Sequence, residues 1–181
     1  LGRVIERVKC AGDYKIVVAT STNKEDRKIV NYCKDINIDC FCGNLNNVLK
    51  RAVDCANYYG FKRFARICGD RPLLDYSLIH KYINIHKSEN LHLVTNTFPP
   101  TYPQGMSTEV ISTKALSKIN YFPLNQYQRE NITSYFYRNS NDYRIKNLKC
   151  ENGNLSKYKF SVDNNEDLKK INWIYENLNE N

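Results

Sequence analysis

Asp70 and Asp163 are the residues of this chain whose context best suits them for chemistry. Each closes a short apolar run and stands before a capped helix pattern. Phe64 to Ile67 leads into Gly69-Asp70, and Pro72 forbids the strand from continuing. Tyr158 to Val162 leads into Asp163, with Asn164-Asn165-Glu166-Asp167 behind it. Open α/β sheets bind their ligands at the carboxyl ends of strands. Two carboxylates side by side there suit a hard cation such as Mg²⁺, which keeps several waters and bridges to phosphate oxygens. The same positions also suit helix capping, and the residues alone leave both roles open.

The elements that must carry these acids alternate along the chain. Tyr14 to Thr20 and Ile38 to Cys42 read as strands, and Asn23 to Lys34 as a helix with Asn23 as N-cap. Leu45, Val48, Leu49, Ala52, Cys55, Ala56 and Tyr59 mark one helical stripe that Gly60 ends. After Phe64 to Ile67, Asp75 caps a helix carrying Leu78, Ile79, Tyr82 and Ile83. Leu91 to Asn96 and Glu109 to Ser112 are strands, separated by a proline-rich loop from Phe98 to Gly105. Thr113 to Asn120 and Arg129 to Arg138 read as helices, and Tyr143 to Lys149 as extended. Tyr158 to Val162 is the last strand. Leu168, Ile171, Ile174, Tyr175 and Leu178 form the buried face of a closing helix capped by Asn164 or Asn165. Strand and helix in this rhythm predict parallel pairing through right-handed crossovers.

With 181 residues, 41% hydrophobic and 25% charged, the chain is long enough for one domain with a core. The formal charge of +8 favours polyanions such as nucleotides. Lys and Arg are dispersed, however, and no zinc finger, helix-turn-helix or aromatic RNA-binding signature occurs, so no nucleic-acid partner is expected. No apolar run reaches membrane-spanning length and no signal peptide is visible, so no membrane partner and a cytoplasmic location are expected. The seven cysteines are scattered and read as small buried hydrophobes in a reducing compartment. Cys40 and Cys42 are expected to turn their thiols to opposite faces of their strand. His80, His86 and His92 form no ligand motif.

Taken in order, several segments resemble the cytidylyltransferases typified by spore coat polysaccharide biosynthesis protein F, relatives of the synthetases of CMP-sialic acid and CMP-Kdo. The resemblance rests on Ile16-Val17-Val18-Ala19-Thr20-Ser21, the run from Arg66 to Asp75, and the run from Thr95 to Gly105. Glu109-Val110, Arg129 to Tyr135 and Val162 to Leu168 add to it, so it covers nearly the whole chain. It implies a Rossmann-like three-layer α/β/α sandwich with a mostly parallel sheet, of the nucleotide-diphospho-sugar transferase type. It implies CTP and Mg²⁺ as ligands, and attack of an acidic sugar's hydroxyl on the α-phosphate of CTP for surface polysaccharide synthesis. Asp70 and Asp163 match the family's metal-binding acids. Ala19, Thr20, Ser21 and Gly69 fall on the nucleotide side. Asn96, Tyr102, Gly105 and Glu109 fall where the sugar would lie, and Arg129, Glu130 and Thr133 in a segment that closes the site. Relatives are often homodimers, and Tyr135, Phe136 and Tyr137 suit either an interface or the core.

The family opens with a strand and a glycine-rich phosphate loop, whereas Leu1 already lies in the helix that follows them. Residues 1–181 are therefore expected to be a single cytidylyltransferase-like domain lacking its first strand. The alternative is a catalytically inactive nucleotide-binding or scaffolding domain. Arg71 stands where a small residue is usual; it either replaces a lost phosphate contact or obstructs substrate. Ser107 and Asn131 replace an Asp and a His in the sugar-facing half.

Overall fold

The computed structural model describes residues 1–177, so Leu178 of the expected closing-helix face lies outside the described residues. Helix α1 (Gly2–Lys9) precedes β1 (Val17–Ser21), α2 (Arg27–Asp35), β2 (Asp39–Gly43) and α3 (Val48–Tyr58). Then come β3 (Arg63–Arg66), α4 (Tyr76–Ser88), β4 (Leu93–Thr95), β5 (Glu109–Ser112) and α5 (Thr113–Ile119). The chain continues through α6 (Gln126–Glu130), α7 (Ser134–Arg138), β6 (Ile145–Asn147) and α8 (Asn165–Asn177).

The strands form a parallel pair, β1-β2, and a foursome in the order β3-β5-β4-β6. β5 runs antiparallel to both neighbours while β4 and β6 are parallel, so β3, β4 and β6 share one direction. Among the described residues no strand joins β1 to β3. Alternation along the strands divides the core into two faces. Leu93 and Ile111 pack with Leu49 and Val53 of α3, Leu116 of α5 and Phe136 of α7. Val94 and Val110 turn the other way onto Leu78 and Tyr82 of α4. Ala11, Leu74 and Ile79 extend that second face toward α1. The result is an α/β/α sandwich. Among the described residues no helix is long and apolar enough to cross a membrane.

Several local expectations change. Asn23 makes no side-chain cap; residues 24–26 form a 3-10 turn before α2. The helix read from Arg129 to Arg138 is two short ones, because the chain breaks at Asn131–Thr133. Tyr158 to Val162 is extended but pairs only at the isolated bridge between Gln104 and Lys159. Leu45 and Leu168 are exposed rather than packed. Cys40 and Cys42, two residues apart, share a face, as strand geometry requires. The Cys40 thiol contacts those of Cys33 and Cys42, and burial first, then its neighbours, push it up to about 12. Phe41 faces Tyr58 of α3 on the opposite side.

Candidate functional site

β3 ends at Arg66, and the turn beyond it delivers Asp70 to the rim of the sheet. The Asp70 carbonyl accepts the Val162 N–H at 2.8 Å. This one bond joins the segment that carries Asp163, from the far end of the chain, to the turn that carries Asp70. Asp70 Oδ1 is buried and has no hydrogen-bond partner, while the side chain as a whole is 41% exposed. Its closest cation, Arg71 Nε, stands 3.9 Å away, beyond hydrogen-bond reach. A buried anionic oxygen without a donor is unfavourable and calls for a positive partner. Asp163 is exposed; its Oδ2 pairs with Lys159 Nζ at 2.7 Å and accepts weakly from Ser161 Oγ at 3.4 Å.

A cavity of about 220 Å³ is lined by Asn96, Thr97, Tyr102, Gln104, Ser107 and Ser156 with Pro100 and Pro103, and neither acid is part of its lining. Three hydrogen bonds join its wall to the segments that carry the two acids. Gln104 N–H donates to Tyr158 O at 2.8 Å, and Phe160 N–H to Gln104 O at 2.7 Å. Arg71 Nη1 donates to Ser107 O at 2.8 Å. Gly105 closes the contact: its φ is +98°, and a Cβ there would stand 2.6 Å from the carbonyl carbon of Phe160. Only glycine tolerates both the conformation and the approach.

Oxygen-only donors, one of them orphaned, fit a hard divalent ion such as Mg²⁺. Among the described residues no group of three or more His, Cys, Asp or Glu could hold a metal. A two-acid set is nonetheless what Mg²⁺ takes when waters and substrate phosphates complete its shell.

Other predicted residues are differently engaged. Glu109, 3% exposed, has both oxygens taken: Oε2 by Arg66 Nη1 at 2.6 Å, Oε1 by the Tyr137 hydroxyl at 2.6 Å. It presents no free carboxylate to a sugar. Burial alone would lower the Arg66 guanidinium, but Glu109 together with Cys68 and Tyr137 raises it above its ordinary value. Asn96 donates from its amide to Met106 O and accepts the Thr108 N–H. It shapes the cavity loop. Thr20 and Ser21 both donate their hydroxyls to Asp26 Oδ2, at 2.8 and 2.6 Å, and Ser21 N–H joins them. Those bonds, led by Ser21, hold the Asp26 carboxyl below its ordinary range. Ala19 is exposed on β1, and Gly69 is exposed in the turn before Asp70.

Arg129 donates to Leu124 O, and Glu130 accepts from Gln126, which also reaches Asn46 O. These two therefore sit beside the turn into α3 and not at the cavity. Thr133 is buried between α6 and α7. Phe136 is fully buried, Tyr137 is tied to Glu109 and Tyr135 packs on the core, so these aromatics serve the interior.

Sequence reasoning missed Lys159 and Asp167. Lys159 Nζ also meets Asp167 Oδ2 at 2.7 Å, and the same oxygen accepts the Asp163 N–H at 3.0 Å. Lys159 and that N–H together hold the Asp167 carboxyl below its ordinary range. The signal was a basic residue four positions before Asp163 and an acid four positions after it.

A sequence profile described as cytidylyltransferase matches residues 1–178. An uncharacterized protein of Methanocaldococcus jannaschii is 33% identical over 130 residues, 72% of this chain and 52% of its own length. The chain thus spans about half of that curated relative. A cytidylyltransferase structure from Leptospira borgpetersenii superposes with a TM-score of 0.91 at 26% identity, over 98% of this chain and 76% of its own. A CMP:2-keto-3-deoxy-manno-octonic acid synthetase structure complexed with CTP gives 0.72 at 13% identity, over 98% and 88%. At that identity the likeness speaks to the fold alone.

Proposed function

We propose, given that this chain belongs to the cytidylyltransferase family, that it moves CMP from CTP to a hydroxyl of an acidic sugar and releases pyrophosphate. The product would supply surface polysaccharide synthesis. The observation that supports this reading is the bond from Val162 N–H to Asp70 O, which joins the two segments that carry the acids.

Asp70 and Asp163 would hold Mg²⁺, and a bound Mg²⁺ would supply neutralising charge for the phosphates. The chain's own residues do the positioning. Arg71 ties the turn carrying Asp70 to Ser107 of the cavity wall and places a positive charge near the carboxylate. Gly105 lets the cavity loop press against Phe160 and Ser161, two residues before Asp163. The neutral hydroxyls and amides of the cavity suit the hydroxyl-rich body of a sugar. Glu109, saturated by Arg66 and Tyr137, supports the floor and takes no proton from the acceptor.

The test is pyrophosphate release from CTP and Mg²⁺ with ulosonic and nonulosonic acids as acceptors. Asp70→Asn and Asp163→Asn should each lower turnover about 100-fold or more, the scale of losing a positioned charge at the reacting centre, with the fold retained by circular dichroism. Full turnover in either variant overturns the assignment. Tight CTP binding without turnover in the unaltered chain would favour the non-catalytic nucleotide-binding domain.

A further inference from the structure

We propose that Lys159 makes occupation of the Asp70–Asp163 pair by a divalent cation conditional on bound nucleotide. The inference rests on the function proposed above and adds a residue to it.

The Lys159 ammonium lies 2.7 Å from Asp163 Oδ2 and 2.7 Å from Asp167 Oδ2. It already neutralises the outer carboxylate of the pair. A divalent ion at Asp163 would sit within a few ångströms of that ammonium, and like charges at such range repel strongly. Metal and ammonium therefore compete for one carboxylate.

Lys159 is built to yield. Its side chain is 34% exposed, so the head can move without leaving a dry core. Its backbone is fixed by the bridge to Gln104, so it remains at the site when the head moves. Asp167 is 17% exposed and is anchored by the Asp163 N–H and, through its own N–H, by Asn164 Oδ1. It keeps one half of the ammonium's pairing when Asp163 is released. The phosphates of a nucleotide supply the other half. Each ligand then helps the other, because coupling between two sites is reciprocal: phosphate draws Lys159 off Asp163, and the freed Asp163 accepts the metal.

The experiment measures Mn²⁺ binding to the full chain by electron paramagnetic resonance, with and without CTP and with no acceptor present. CTP should tighten Mn²⁺ binding about tenfold or more in the unaltered protein. In Lys159→Met, Mn²⁺ alone should bind about tenfold more tightly than to the unaltered chain, the scale of one partly exposed ion pair. The further gain from CTP should shrink several-fold. Lys159→Arg, which keeps the charge, should restore the unaltered pattern. Should Lys159→Met fold poorly by circular dichroism, Lys159→Gln reads the same comparison. Equal or weaker Mn²⁺ binding in the uncharged variant would make Lys159 a structural tie and overturn the proposal. Mn²⁺ binding absent from the unaltered chain and from Asp163→Asn alike, even with CTP, would overturn the proposed function itself.

Discussion

Two clusters of polar side chains are wired in opposite ways. Beneath the cavity, Arg66, Glu109, Tyr137, Thr95 and Thr97 form a knot whose principal groups are paired. Tyr137 donates to Glu109 and meets both threonine hydroxyls at 2.9 Å. The Phe98 ring stacks on Tyr137 with centroids 4.6 Å apart. At the rim, Asp70 keeps a buried oxygen without a donor and Asp163 leans on a lysine that shares itself with Asp167. A satisfied buried network rigidifies its surroundings. The knot is paired within itself, whereas the rim keeps an unpaired oxygen at Asp70.

The largest test of this contrast is Glu109→Ala against Asp70→Ala in urea unfolding. Removing Glu109 leaves the Arg66 charge uncompensated and should cost about 3–5 kcal/mol. Removing Asp70 should change stability by less than about 1 kcal/mol, because no bond to its buried oxygen is lost. Equal losses would erase the distinction between the clusters. Gly105→Ala comes next. Its Cβ would collide with the Phe160 backbone at a positive φ, so about 1–3 kcal/mol should be lost. Metal binding should weaken as well, since Ser161 and Asp163 shift together; unaltered Mn²⁺ affinity would uncouple the loop from the rim. Tyr137→Phe removes one hydroxyl from the knot and should cost about 1–3 kcal/mol in thermal or urea unfolding.

The smallest effect concerns His86, which is 3% exposed with neither ring nitrogen partnered. Burial first, then Arg63, depresses its basicity below the ordinary value of 6.5. In the folded protein the ring resists protonation, whereas the unfolded chain takes the proton near its ordinary value. The unfolded state then binds more protons, so stability declines as pH falls below about 6.5 and levels off beneath the folded value. His86→Leu should flatten that part of the stability profile. An unchanged slope would show that other groups carry it.

The turn at Asp70 and the capped helices after both acids were legible because an apolar run, a Gly-Asp turn and an N-cap are local patterns. Asp75 indeed caps α4 and Asn164 caps α8 through their side chains. Glu109 was misjudged for the opposite reason. A strand-start acid looks solvated until its partners are known, and they come from β3 and α7. Thr20 and Ser21 likewise suggested ligand contact, yet Asp26, a few residues on, takes both hydroxyls. The reversal of β5 was not legible either, because strand direction follows from the path of the connection and leaves no mark on the strand's own residues.

Local order carried the α/β alternation, the caps, the glycine stops and the candidate acids, since these depend on neighbours within a turn or a pleat. Which carboxylates stay available was settled by folding. Availability depends on what folding brings to each acid: Arg66 and Tyr137 to Glu109, and the Lys159 ammonium between Asp163 and Asp167. A charge pairs with whatever lies within a few ångströms of it, and for Glu109 those neighbours are distant in sequence, whereas Arg71 adjoins Asp70.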